Sequence, residues 1–235
     1  MAINKGIIGI GAASGGANDL GIGDMMFQLD FEDQVVDLTG NYSMTANNIT
    51  YSTDSVFGTK SADFNGTNSY IITEGSSDFS INQFSISTWI KIDTFTHGGQ
   101  LITRFGQNSG GGGIPSEYFF HFRQYNTLTL NGTIYNGAGS GVNTSAGSNK
   151  VTVGNWMNIV YVSAGSNTRR WYVNNVLVKS HTSSIPINVQ AKNLGIQFGA
   201  IGNVTHQSPS DIKLDNVRMF SKALSVAQIN TLYNE

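Results

Sequence analysis

The chain has 235 residues, 39% hydrophobic and 11% aromatic, enough to form the core of one all-β domain with a short arm. Only 12% of the residues are charged, with thirteen Lys and Arg and fifteen Asp and Glu. Because a phosphate-binding surface needs clustered cations and this sequence has no basic run, nucleic-acid binding is disfavoured. The absence of cysteine excludes disulfides and Cys nucleophiles, and no apolar stretch reaches the ~20 residues of a membrane-inserted helix. Twenty-eight Gly and 25 Asn indicate a turn-rich protein whose surface is polar without charge.

Residues 1–24 are predicted to be an N-terminal attachment arm. Seven glycines interrupt a weakly apolar stretch that contains Ile7, Ile8 and Ile10. A secretory signal peptide is the alternative, but the glycines break its apolar core and the chain starts at Met1. Because ordering such a segment costs about 1–2 kcal/mol per residue, we expect the arm to be held by its own domain or by a neighbouring chain.

Residues 25–235 are predicted to form one domain of strands and turns. Phe27, Leu29 and Phe31 alternate as in a half-buried strand. Within 84–92 the apolar residues at 84, 86, 90 and 92 share one face and Trp89 lies on the other, which predicts an inner strand. Residues 100–105 and 118–123 show similar patterns.

Three dipeptides predict two-residue hairpin turns, because Asn and Gly accept the positive φ angles that such turns need. They are Asn65-Gly66, Asn131-Gly132 and Asn174-Asn175. One helix is predicted at the C-terminus, where Ser225 and Gln228 fit a capping box and apolar residues follow at helical spacing. About twelve strands and one short helix predict an antiparallel two-sheet sandwich.

Seven segments, in this order, resemble the laminin-G-like branch of the concanavalin A-like lectin/glucanase jelly rolls: 27–32, 36–41, 57–70, 84–91, 155–160, 171–176 and 212–225. Thr39 replaces a serine that is usual in the family, and Asn65 replaces an aspartate. The resemblance covers residues 25–235 and implies an all-β, antiparallel jelly-roll sandwich. It implies little about function, since this fold hosts lectins, glycosidase accessory modules, adhesion domains and structural pieces.

A search for catalytic groups predicts that the protein is not an enzyme. Glycoside hydrolysis needs two carboxylates about 5–10 Å apart, and the enzymes of this fold carry them on one strand. The glutamates of this chain are far apart in sequence: Glu32, Glu74, Glu117 and Glu235. The nearest pair on alternate positions, Asp30 and Glu32, is interpreted as rim carboxylates. The four histidines show no metal-ligand spacing.

The resemblance also implies a structural calcium ion between the first loop and the closing strand. The matching positions are Asp37, Gly40, Asn41 and Asp215. Calcium takes six to eight oxygen ligands from carboxylates, carbonyls and amides. The alternative is that the two aspartates accept hydrogen bonds from loop N–H groups.

Glycan binding is the predicted activity, because sugar rings stack on aromatic side chains while amides and charged groups bind their hydroxyls. The predicted ligand-binding residues are Arg104, Tyr118, His121, Arg123, Tyr125 and Tyr135. They are expected on neighbouring strands or the adjoining loops. Alternation places His121 and Arg123 on one side of their strand, opposite Phe120 and Phe122.

The combined hypothesis is a non-enzymatic bacteriophage virion protein, a capsid decoration or tail appendage, located on the particle surface. Its partners are capsid or tail proteins, through the arm, and glycans of a host surface. Many copies, as a homo-oligomer or on one particle, multiply weak single-site binding. The alternatives are a secreted, extracellular bacterial lectin or carbohydrate-binding module and, less favoured, a glycosidase.

Overall fold

The computed structural model describes residues 17–79, 81, 83–95, 100–106, 120–125, 129–135, 141–147, 150–165, 167–182, 194–199 and 210–235. At positions 100–106, 120–125, 133–135, 141–143, 194, 195 and 197 it describes the backbone alone. The strands are β1 Met25–Leu29, β2 Met44–Asn47, β3 Thr50–Ser52, β4 Ser61–Asn65, β5 Tyr70–Thr73, β6 Phe84–Thr94, β7 Gln100–Gly106, β8 Phe120–Tyr125, β9 Thr129–Tyr135, β10 Gly141–Ser145, β11 Trp156–Ala164, β12 Thr168–Val173, β13 Val176–Thr182, β14 Leu194–Phe198 and β15 Asp211–Phe220. A 3-10 turn covers Ser77–Phe79, and helix α1 covers Val226–Tyr233.

The strands form two antiparallel sheets. The eight-stranded sheet has the order β13-β12-β11-β6-β15-β4-β3, with β1 also paired to β15. The seven-stranded sheet has the order β10-β9-β8-β7-β14-β5-β2. This is the jelly-roll sandwich that the sequence predicts. Within the described residues, no helix has the length and apolar character needed to span a bilayer.

The main core lies between the two sheets, where strand alternation directs every second residue inward. Phe84, Ile86, Ile90 and Ile92 of β6 are buried in it, as predicted for an inner strand, and β6 lies between β11 and β15. Phe27 forms edge-to-face contacts with Tyr42, Phe79 and Phe198, at ring-centroid distances of 6.2–6.5 Å. Such contacts add about 0.5–1.5 kcal/mol each to the area that the rings bury.

A second apolar cluster seals the outer face of the eight-stranded sheet. Helix α1 packs Ile229 and Leu232 against outward-facing residues of β11, β12 and β15. Its N-terminus has the predicted capping box, because the Ser225 side chain accepts from the Gln228 N–H and the Gln228 side chain accepts from the Ser225 N–H. The α1 prediction is therefore confirmed.

The last residues of the predicted arm belong to this same cluster. Ile22 is 7% exposed and packs beside α1, while the Asp19 carboxylate accepts from the N–H groups of Gly21 and Gly23. Lys222 donates a hydrogen bond to the Ile22 carbonyl. The predicted boundary at residue 24 therefore falls inside a packed segment. Ile7, Ile8 and Ile10 lie outside the described residues.

One predicted hairpin is wrong and one is only half right. Asn131 and Gly132 lie in the middle of β9. An ideal Cβ built at position 132 would lie 2.7 Å from Cζ2 of Trp171. Glycine is used there for close packing, not for a turn. Gly66 does turn the chain, with φ +66°, but β4 and β5 belong to different sheets and form no hairpin.

The turn at Asn174-Asn175 is confirmed. Both residues have positive φ, 49° and 64°, and they connect the paired strands β12 and β13. The Asn174 side-chain oxygen also accepts from the N–H of Asn158, which ties the turn to β11. Two positive φ angles in succession are what a two-residue turn between twisted strands needs.

Candidate functional site

A row of mostly polar positions, here called the polar row, crosses every strand of the seven-stranded sheet. Backbone pairing connects its members in the order Thr45, Ile72, Gln197, Thr103, His121, Thr133 and Asn143. The adjacent row contains Ile71 and Phe198, which are completely buried in the core. Because successive residues of a strand face opposite sides, the polar row belongs to the outer face of the sheet.

Five of the six predicted ligand residues lie on three adjacent strands of this sheet: Arg104 on β7, His121, Arg123 and Tyr125 on β8, and Tyr135 on β9. Tyr118 lies outside the described residues. The positions 121, 123 and 125 alternate with 120 and 122 along β8, as the sequence predicts for an extended strand. The central part of the sheet therefore gathers the predicted residues on neighbouring strands.

Arg104 occupies a different row from His121. It is paired with Ile196 of β14, which is 1% exposed, and with Phe120 of β8. Its position therefore has the parity of core residues, whereas position 121 has the parity of the outer face. The register thus separates Arg104 from the polar row.

The outer face is sheltered at its β9 end. Thr129 and Asn131, which are paired with Tyr125 and Arg123, are only 5% and 6% exposed. These two side chains are therefore covered by the protein rather than open to a ligand.

Asp37 is held by the N–H groups of its own loop and of β1. Its carboxylate accepts from the backbone N–H groups of Gln28, Thr39, Asn41 and Tyr42, at 3.0–3.1 Å, and from the Thr39 hydroxyl at 2.7 Å. Gly40 takes the positive φ of the turn, +73°. Asp37 is 3% exposed, so these donors compensate for the loss of its hydration.

Asp215 is completely buried and serves a different loop. Its Oδ2 accepts from the N–H groups of Val56 and Phe57, at 2.7 and 2.9 Å, and its Oδ1 has no hydrogen-bond partner. Burial raises the pKa of the Asp215 carboxyl from its ordinary value of 3.8 to about 7, although the two N–H donors oppose this rise. The sequence could not show this burial, because Asp215 lies on the outer face of its strand.

Three buried polar atoms without partners lie in one register row of the eight-stranded sheet. Trp89 is paired with Asn158 on one side and Asp215 on the other. Trp89 Nε1, Asn158 Oδ1 and Asp215 Oδ1 are all buried and make no hydrogen bond within the described part of the chain. The Tyr233 ring of α1 stacks on Trp89 at a centroid distance of 5.7 Å.

The two carboxylates among the four predicted calcium ligands accept hydrogen bonds from the protein itself. The carboxylates of Asp37 and Asp215 are bound by N–H groups of two different segments, 28–42 and 56–57. The Asn41 side chain donates to the Met26 carbonyl. Across the described ranges, no group of three or more His, Cys, Asp or Glu side chains is close enough to hold a metal ion. N–H donors directed at a carboxylate occupy the lone pairs that calcium would need.

The carboxylate pair Asp30 and Glu32 has a structural arrangement. Glu32 accepts from the N–H groups of Thr59 and Lys60, at 2.8 and 3.0 Å, and from the Thr59 hydroxyl at 2.7 Å. Burial raises the pKa of Asp30, and the adjacent Glu32 charge adds to that rise. Both oxygens of Glu32 thus hold the turn at 58–60.

Arg169 is a buried charge that the sequence interpretation did not select. It is 1% exposed, and its Nε and Nη1 atoms have no hydrogen-bond partner among the residues that the structure describes. The sequence did carry a signal of this burial, because Arg169 alternates with Trp171 and Val173 along one strand and so shares their core-facing side.

Comparison with known proteins decides the family. The family model of the concanavalin A-like lectin/glucanase superfamily matches residues 65–230. The chain belongs to this superfamily. A search of curated protein sequences finds no match.

Solved structures with a similar fold include one domain of an arabinanase and the binding domains of protein toxins. Domain 4 of AbnA, an extracellular arabinanase from Geobacillus stearothermophilus solved with arabinotriose, has a TM-score of 0.68 at 19% identity, over 89% of this chain and 98% of that one. The binding domain of botulinum neurotoxin serotype D has a TM-score of 0.68 at 19% identity, over 90% of this chain and 51% of that one. The binding domain of Paraclostridial Mosquitocidal Protein 1 gives 0.68 at 17%, over 90% and 52%. The chain thus spans about half the length of the toxin domains, and the likeness shows the shared fold.

Proposed function

We propose that this lectin/glucanase-type sandwich is a non-catalytic carbohydrate-binding domain. The proposal rests on one observation: the polar row crosses the outer face of the seven-stranded sheet, whereas α1 and residues 20–25 cover the outer face of the other sheet. Three threonine hydroxyls, two amides and an imidazole in one row suit a ligand that carries many hydroxyl groups. A domain of the same fold was solved with arabinotriose, which supports this ligand class.

The arrangement of two carboxylates supports the non-catalytic part of the proposal. Glycosidases need one carboxyl to give a proton and a second to act as base or nucleophile. Glu32 spends both oxygens on the turn at 58–60, and Glu235 forms a bidentate ion pair with Arg218, with N–O distances of 2.5 and 2.7 Å. Neither group is placed to transfer a proton. A Glu117→Gln variant tests the remaining sequence candidate, and turnover of a polysaccharide panel that this variant abolishes would contradict the proposal.

The place of action is proposed to be the surface of a bacteriophage particle, with capsid or tail proteins as partners. The support is the sparsely charged, Asn-rich composition and the Gly-rich arm. Multiple copies on a particle compensate for weak single-site affinity. Mass spectrometry of gradient-purified particles tests this, because a chain that is never detected there contradicts it. A secreted bacterial lectin is the second candidate.

Glycan binding is tested by isothermal titration against oligosaccharides selected on a glycan array. Arg123→Gln and His121→Ala are expected to weaken binding about five- to tenfold each, the effect of losing one hydrogen bond to a ligand. Arg170→Gln is the matched control, because it removes the same charge from β12 of the other sheet. Equal losses in Arg123→Gln and Arg170→Gln, or no binding by the wild type, contradict the proposed site.

A further inference from the structure

The buried guanidinium of Arg169 has no counter-charge among the described residues. Its Nε and Nη1 atoms make no hydrogen bond, and the one ionisable group that influences its pKa is Tyr161. Burial lowers the pKa of the Arg169 guanidinium, yet an arginine side chain stays protonated at physiological pH. The molecule therefore holds a desolvated positive charge.

Such a charge is costly unless a partner neutralises it and accepts its protons. Water satisfies N–H groups but leaves the charge uncompensated. A carboxylate or a sulfate does both, since the planar guanidinium fork matches two oxygens of an oxyanion. All aspartates of the chain lie in the described part, as do all glutamates except Glu117. None of the described aspartates and glutamates is thus the partner of Arg169, and Glu117 is the one carboxylate side chain left to consider.

Arg169 lies close to one edge of the eight-stranded sheet. It lies one residue into β12, next to the edge strand β13, and is paired there with His181, which is half-buried. On its other side it is paired with Ser163, which is completely buried. Arg169 therefore lies on the core-facing side of β12, with the edge strand β13 as its neighbour.

We propose that Arg169 is the centre of an oxyanion-binding site at this edge of the sandwich, and that the site takes a carboxylate or sulfate group. If the proposed glycan-binding function holds, that group belongs to an acidic sugar. The site and the polar row lie on different sheets, so a glycan that uses both must reach around the edge. The oxyanion site itself does not depend on the polar row.

Thermal unfolding in low-salt buffer, with sodium sulfate, sodium glucuronate or glucose added, tests the site. The wild-type Tm is expected to rise saturably with sulfate or glucuronate, by about 5–10 °C at 100 times the Kd, and not with glucose. Arg169→Met abolishes this rise and, without added oxyanion, unfolds at the same temperature as the wild type or higher, because it removes an unpaired buried charge. Arg169→Lys keeps the charge without the fork and weakens the response about tenfold. Arg170→Gln responds like the wild type.

Three results overturn the site: a wild type that does not respond, an equal response in Arg169→Met, and a response that Arg170→Gln abolishes. Glu117→Gln separates an internal ion pair from an open site. If this variant alone lowers the Tm in low salt and creates the oxyanion response, Glu117 is the partner and the proposal is wrong. An unchanged response in Glu117→Gln supports it.

Titration with a uronic-acid oligosaccharide and its neutral counterpart identifies the source of the oxyanion. Tighter binding of the acidic form, lost in Arg169→Met, assigns an acidic glycan. A sulfate response through Arg169 without any glycan binding keeps the oxyanion site and contradicts the glycan-binding function. Equal binding of both sugars with no sulfate response contradicts the oxyanion site and keeps the glycan-binding function.

Discussion

Gly132→Ala is expected to destabilise the domain, although alanine normally suits a strand better than glycine. An ideal Cβ at this position lies 2.7 Å from Trp171 Cζ2 and 3.3 Å from Tyr161 Cε2. Carbon atoms pack at about 3.5–4.0 Å, so the Trp171 ring or β9 must move by about 1 Å. The ring has little freedom, because its Nε1 donates to the Thr144 carbonyl at 3.1 Å and its plane contacts Tyr161 at a centroid distance of 4.8 Å.

The size of the effect follows from two opposing terms. Overpacking a filled core costs about 1–3 kcal/mol, and replacing glycine stabilises by about 0.4–1 kcal/mol through the unfolded chain. The net loss is about 1–2 kcal/mol, which lowers the Tm by roughly 2–8 °C in a domain of this size.

Chemical denaturation followed by tryptophan fluorescence measures the free energy of unfolding of Gly132→Ala. Trp171→Phe supplies the control, because a smaller ring relieves the contact, so Gly132→Ala is expected to cost less in that background. Additive effects of the two changes, or a Gly132→Ala variant as stable as the wild type, would refute the close-packing role of Gly132.

Three further predictions concern the cap, the buried carboxyl and the metal. Ser225→Ala lowers the free energy of unfolding by about 1 kcal/mol, whereas Ser225→Asp keeps the cap and the stability; a neutral Ser225→Ala in thermal unfolding would disprove the role of the capping box. The raised pKa of Asp215 means that its carboxyl gives stability that is fully present below pH 3.8 and lost as the pH rises through about 7. In urea titrations, the stability of Asp215→Asn relative to the wild type is therefore expected to increase by a few kcal/mol between pH 4 and 8. A stability difference that does not change with pH contradicts the burial of this group. Because N–H donors fill the lone pairs of Asp37, a chelator is expected to leave the Tm unchanged, and a Tm rise with calcium that Asp37→Asn abolishes would establish the ion instead.

Local chemistry decided which sequence predictions succeeded. The Ser225 capping box and the Asn174-Asn175 turn need only residues within a few positions, and both are confirmed. The alternation over 84–92 was also sufficient to predict the inner strand β6. This strand is buried in the core on one side, and α1 covers Trp89 on its other side. The order of family-like segments extended these local patterns to the jelly roll.

The failures concern contacts between residues far apart in sequence. Asn131-Gly132 has the dipeptide of a turn, but the glycine is needed because Trp171, from the other sheet, approaches it. Asn65-Gly66 turns the chain, yet no local pattern tells whether the next strand stays in the same sheet. The burial of Arg169 and Asp215 likewise depends on which strands and loops cover them. The predicted ligand residues on β7 to β9 stay a prediction for binding.

Amide chemical-shift mapping of the labelled protein, titrated with arabinotriose or with the oligosaccharide that binds best on an array, tests the glycan-binding surface most directly. The account predicts that saturable shifts concentrate at the centre of the polar row, at Thr103, His121 and Thr133, while the amides of α1 stay unchanged. Shifts confined to β11, β12 and α1, or none with any sugar that the wild type binds, would contradict it.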